Sequence, residues 1–121
     1  MPIRIFPGSG FTRTGAESSG IRWATSNDAA VISNSWGPAE PVPVPFDLDD
    51  AIREAATQGR GGLGALVLFA IGNSGAVSAP FEVESHPLVL AVGATGVDDR
   101  RAFYSNYGPE LDLMAPAAAI T

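Results

Sequence analysis

Cysteine is absent from this chain, which excludes disulfides and thiolate metal sites and leaves the redox compartment unspecified. Lysine is absent too. All seven basic residues are arginine, set against 13 acidic ones for a formal net charge of −6. That balance argues against a nucleic-acid partner and against an anionic membrane surface. The single histidine, His86, cannot build a multi-histidine metal site, and no metal or cofactor is expected. The longest apolar run, Leu63–Ile71, has about nine residues, far short of the roughly 20 a membrane helix needs. Met1-Pro2-Ile3-Arg4 lacks the charged-then-apolar pattern of a secretory leader.

What is present fits one soluble α/β domain or a piece of one. The 121 residues match the common domain size, and 45% are hydrophobic, too many for a disordered polar chain. Ile3–Phe6 reads as a short strand closed by the turn signal Pro7-Gly8-Ser9-Gly10. Ala16–Thr25 reads as a helix ended by Asn27-Asp28, and Ala29–Ser33 as a buried strand. Four prolines between Pro38 and Pro45 require an extended surface loop.

The second helix carries the strongest pattern. Leu48, Ala51, Ile52, Ala55 and Ala56 recur at helical spacing and form one apolar stripe. Asp47 is the expected cap, Asp49 and Asp50 suit the positive end of the helix dipole, and Gly59 is the expected stop. Ala65–Ala70 and Leu88–Val92 are continuous apolar strands of the kind a parallel sheet buries on both faces. Leu111–Met114 is a last short one. Alternating strands and helices predict a parallel sheet with helices on both faces. Its working loops should then lie beyond the strands' carboxyl ends: Pro7–Arg13, Asn34–Pro45, Gly72–Pro87 and Gly93–Arg100.

Two glycine-rich segments call for opposite readings. Gly59–Gly64 spells G-x-G-x-x-G, but a helix precedes it and a strand follows, the reverse of what a dinucleotide site requires. It reads as a helix-to-strand turn. Gly72-Asn73-Ser74-Gly75 follows the most apolar strand. There Asn73 presents a side-chain amide at a strand end, suited to hydrogen-bonding a developing oxyanion.

Four ordered segments, VISNSWGP (Val31–Pro38), GRGGLGALVLFAIGNSG (Gly59–Gly75), HPLVLAVGAT (His86–Thr95) and YSNYGPELDLMAP (Tyr104–Pro116), resemble successive signatures of the subtilisin-like serine proteases. The pairing of SWGP with GRGGLG and GN-x-G is most similar to the kexin-like branch. The later segments look more like bacterial subtilases. The resemblance implies a three-layer α/β peptidase domain, represented by residues 1–121 in part. It implies peptide-bond hydrolysis through a serine acyl-enzyme with no organic cofactor. Asn73 would be the oxyanion-hole donor, and Ser35, Trp36, Gly37, Ala70, Ile71 and Gly72 would frame a polypeptide substrate.

The family's D-x-G, H-G-T and G-T-S-M-A motifs, which carry its catalytic Asp, His and Ser, do not occur in this sequence. His86 belongs to a different segment and is expected to be an exposed turn residue, while Ser74 and Ser105 have no assigned base. The chain alone is therefore expected to be inactive. Its exposed strand edges should associate with the missing peptidase segments or with another copy. A rival reading is a non-catalytic module, or a decayed protease, that binds extended peptides by strand addition. Glu40 lies where kexin-like members carry an acid for basic residues. The acidic pair expected there is broken into Ala39-Glu40-Pro41, so Glu40 reads as a solvated loop acid. Ala79–Leu90 resembles a loop that binds a cation in some subtilases, but carbonyl ligation leaves little sequence trace. Secretion would follow only from a signal peptide upstream in the parent.

Overall fold

The computed structural model describes residues 1–6, 15–38 and 40–117. They form two compact units: residues Met1–Ile32 with Val44–Val67, and Ser33–Pro43 with Leu68–Thr121. The strands run β1 (Val31–Asn34), β2 (Leu66–Ala70), β3 (Val89–Thr95) and β4 (Leu111–Pro116), in the sheet order β1-β2-β3-β4. This is a parallel four-stranded sheet accompanied by two helices, α1 (Ala16–Ser26) and α2 (Phe46–Gly62).

In the first unit α1 packs on α2. Ile21 and Ala24 of α1 and Leu48, Ala51, Ile52 and Ala55 of α2 are buried, as the helical spacing requires. Asp47 does not cap α2. Pro45 occupies that position, and the Asp47 carboxylate accepts hydrogen bonds from the Ser18 hydroxyl and from Arg22 at 2.7 Å. Those two partners hold the carboxyl of Asp47 below its ordinary range, Ser18 contributing most. Arg22 also reaches Asp50 at 3.0 Å and Glu54 at 3.2 Å, which ties α1 to the first three turns of α2.

Gly59–Gly64 forms the expected turn. Regular helix ends at Gly59, where ψ swings to 154°, and Arg60 and Gly61 follow with φ of 55° and 66°. The Gly64 and Ala65 amides then donate back to the Gly59 and Ala55 carbonyls, each at 2.9 Å. Residues 3–6 form no strand. Instead Ile5 and Ile3 lie over α1 at Gly20, where an added Cβ would come within 2.7 Å of Ile5. Apolar packing on a helix replaces sheet pairing there. The turn expected at Pro7–Gly10 and the loop to Arg13 lie outside the described residues.

In the second unit β3 pairs in parallel with β4, with a register shift between Ala91 and Val92. The Ile71 amide donates to the Val92 carbonyl at 3.0 Å. Phe69, Ile71, Val83, Val89 and Ala91 are its buried apolar residues. β3 runs to Thr95, three residues beyond the expected end at Val92, because Gly93 and Ala94 keep pairing with Met114 and Ala115.

Candidate functional site

All the candidate residues lie in the second unit. Asn34, at the end of β1, is buried, and its Nδ2 donates to the Leu68 carbonyl at 3.1 Å. Its Oδ1 accepts the Trp36 indole N–H at 3.2 Å. The Trp36 ring meets Phe69 edge to face, with centroids 5.0 Å apart at 77°, a favoured aromatic geometry. One buried amide and one buried ring thus fix the direction in which Ser35-Trp36-Gly37 leaves the sheet.

β2 ends opposite this segment. Ala70, Ile71, Gly72 and Asn73 line two cavities, one of about 400 Å³ and one of about 520 Å³. Ser35 lines both, and Trp36 and Gly37 line the larger. The structure therefore brings Ser35, Trp36, Gly37, Ala70, Ile71, Gly72 and Asn73 together around one concavity. Asn73 is exposed where the two cavities adjoin. Among the described residues no hydrogen bond engages its side-chain amide. An unengaged amide donor on a fixed backbone can serve a ligand oxygen.

The backbone is fixed by Asn106, a residue that local sequence patterns did not single out. Its Oδ1 accepts the Ser74 amide at 2.9 Å and the Ala76 amide at 3.2 Å, and its backbone N–H donates to the Gly72 carbonyl at 3.0 Å. The Gly75 amide adds a bond to the Tyr104 carbonyl at 2.7 Å. Gly72 has φ +99°, and an added Cβ there would fall 2.5 Å from Nδ2 of Asn106. Only glycine allows this approach. Asn106→Ala removes two side-chain acceptor contacts from a partly exposed loop, so we expect a loss of about 1–3 kcal/mol. Hydrogen exchange at the Ser74 and Ala76 amides should quicken while β3 amides stay protected; unchanged exchange at both loop amides would refute this role.

His86 is buried, 7% exposed, which corrects the expectation of an exposed turn residue. Its backbone amide donates to Val83 and its Nδ1 accepts the Leu88 amide at 3.1 Å, so the imidazole closes the turn leading into β3. Ser105, 1% exposed, accepts the Ala94 amide and donates to the Asn106 carbonyl. Its hydroxyl is committed to the fold. Among the described residues no group of three or more His, Cys, Asp or Glu side chains could hold a metal ion.

The electrostatics of the larger cavity are one-sided. Glu40, Glu82 and Glu84 line it and no arginine does. Burial pushes the Glu84 carboxyl above its ordinary range, and the charge of Glu82 adds to the effect.

The sequence profile of the subtilase family matches residues 1–121. The chain is 31% identical over 118 residues to subtilisin Savinase of Lederbergia lenta, covering 98% of this chain and 40% of that protein. It is 33% identical over 130 residues to a calcium-dependent protease of Trichormus variabilis, covering 97% of this chain and 19% of the relative. Among solved structures, proteases from Pseudoalteromonas arctica superpose with a TM-score of 0.81 at 30% identity, over 99% of this chain and 36% of theirs. A cold-adapted subtilisin-like serine proteinase superposes with a TM-score of 0.75 at 30% identity, over 93% of this chain and 39% of its own. The chain thus spans well under half the length of these relatives.

Proposed function

The chain belongs to the subtilase family, and from that membership we propose that it is the substrate-cradling part of a serine endopeptidase, with Asn73 as its oxyanion-hole donor. Residues 1–121 would then be one section of a peptidase domain whose Asp, His and Ser come from other segments. The observation that carries the reading is the convergence of an unengaged Asn73 amide with the extended Ser35–Gly37 segment around one concavity.

In this reading a polypeptide lies extended between Ser35–Gly37 and Ala70–Gly72, and backbone pairing sets its register. Asn73 then faces the carbonyl under attack. Negative charge grows on that oxygen as the serine adds, and a fixed amide stabilises it more than it stabilises the substrate. Among the described residues there is no activated nucleophile. Its one imidazole is buried as a turn closure, and the Ser105 hydroxyl is occupied.

The 121-residue chain should accordingly give no hydrolysis of peptide substrates above buffer. Joining it to segments that carry the family's Asp, His and Ser motifs should restore turnover. A rate that scales with the isolated chain through repurification would refute the division of labour. So would a joined, folded domain that binds peptides but never cleaves them, which is what a binding module would do.

A further inference from the structure

We infer that Asn73 is the chain's site of spontaneous deamidation, and that Asn106 sets its pace by holding the backbone amide that attacks. The modification follows from the geometry of the loop. Only its consequence for turnover rests on the oxyanion-hole reading of Asn73.

Deamidation begins when the backbone nitrogen of the next residue, having lost its proton, adds to the carbonyl carbon of the asparagine side chain. The new N–C bond closes a succinimide, and the side-chain nitrogen takes up the proton and leaves as ammonia. Water then opens the ring at either carbonyl, giving aspartate or isoaspartate. Three conditions favour the step: a side-chain amide free to turn onto its own backbone, a small following residue, and a backbone N–H that its acceptor can release.

The sequence holds four asparagines, and the fold treats them differently. Asn27 donates to the Trp23 carbonyl at 2.8 Å, and the Asp28 amide is bonded to the Thr25 carbonyl at 3.1 Å. Asn106 accepts two amides, and the Tyr107 amide is bonded to the Ala76 carbonyl at 3.0 Å. Asn34 and Asn73 are each followed by serine, so the attacking residue is the same in both. Asn34 is buried, with its Nδ2 bonded to the Leu68 carbonyl and its Oδ1 to the Trp36 indole. Turning it onto Ser35 breaks both bonds where no water replaces them. Asn73 and Ser74 are exposed, and among the described residues no hydrogen bond engages the Asn73 amide.

One restraint remains on Asn73. The Ser74 N–H donates to Oδ1 of Asn106 at 2.9 Å. A nitrogen in that bond keeps its proton, so ring closure waits for the loop to open. The Ala76 amide shares the same oxygen, and the backbone N–H of Asn106 holds the Gly72 carbonyl, so the opening must loosen the chain on both sides of Asn73. Either product places a carboxylate where the neutral amide donor stood. On the oxyanion-hole reading, Asn106 therefore sets the working life of the site.

The test incubates the 121-residue chain in mildly alkaline buffer, with and without urea. Each asparagine is followed by peptide mass and by isoaspartate, which only the cyclic route yields. In buffer Asn73 should react at least about tenfold faster than Asn34, because Asn34 waits for the core to open and Asn73 only for a loop. In urea the two rates should converge, and Asn73 should itself gain about fivefold to tenfold, the factor that one hydrogen bond of ordinary net strength withholds. Asn106→Ala should give Asn73 that gain in buffer while Asn34 stays slow. Asn106→Asp, which keeps an acceptor for Ser74, should not. Equal rates at Asn73 and Asn34 in buffer overturn the inference. So does an Asn73 rate that neither urea nor Asn106→Ala raises, an Asn106→Asp chain as fast as Asn106→Ala, or a product free of isoaspartate. If Asn106→Ala unfolds the chain, Asn34 accelerates with it, and the comparison of buffer with urea on the unsubstituted chain decides. All these outcomes leave the oxyanion-hole reading standing; that reading fails separately, on turnover.

Discussion

Phe69→Ala is expected to destabilise the chain by about 3–5 kcal/mol, the usual cost of deleting a fully buried phenylalanine. Phe69 is 0% exposed, on the strand that ends in the candidate site. Its ring also receives the edge of Trp36 at 5.0 Å, so truncation removes both apolar burial and an aromatic contact. Trp36 would keep its bond to Asn34 but lose the surface it leans on. The expected signature is therefore double: a lower urea midpoint, and a shift of tryptophan emission in the folded baseline as Trp36 loosens. Phe69→Leu, which keeps most of the apolar volume, should cost far less while still changing that emission. A loss below about 1 kcal/mol for Phe69→Ala would mean that the site's wall is held by something other than this ring.

How much of this was legible in the sequence depends on the range of the interaction. The α2 stripe could be read because Leu48, Ala51, Ile52 and Ala55 report a local period, and a helix must bury such a stripe. The Gly59–Gly64 turn could be read because element order alone decides against a phosphate site. The assembly of Ser35–Gly37 with Ala70–Asn73 was reached through resemblance, and its geometry follows from parallel strands releasing their loops at the same end of the sheet.

What escaped were long-range uses of polar side chains, one local use of a buried imidazole, and the packing of the N-terminal segment. Asp47 looked like a cap because caps are local. Its partners, Ser18 and Arg22, lie 29 and 25 residues away. Asn106 serves amides 30 and 32 residues distant, and no window along the chain contains both ends of that contact. His86 was expected to be an exposed turn residue, yet its Nδ1 accepts an amide two residues on. A buried imidazole satisfied in this way leaves no compositional mark. Residues 3–6 alternate like a strand, but apolar alternation also suits a segment laid across a helix. Ile5 over Gly20 takes that option.

Asn73→Ala, made in a domain where this chain is joined to segments bearing the family's Asp, His and Ser motifs, should lower kcat by about 10²–10³. That corresponds to roughly 2.7–4 kcal/mol, the magnitude seen for a subtilisin asparagine in the oxyanion-hole role proposed for Asn73. KM should change little, because the amide gains its full value only once charge has moved onto the oxygen. The physical requirement is a donor already fixed before reaction, so that no reorganisation is needed as the charge develops. Here that requirement falls on the loop and not on the side chain alone. Asn106 holds the Ser74 and Ala76 amides and the Gly72 carbonyl on either side of Asn73, while the Asn73 amide is left unengaged. Asn73→Asp should be at least as damaging as Asn73→Ala, since a carboxylate would face the oxyanion with like charge. Asn106→Ala should lower kcat by less than either, because it relaxes the loop and leaves the donor present. Full turnover in both Asn73 variants, with the fold retained, would reduce Asn73 to a turn residue and remove the chain's one chemical contribution to the reaction.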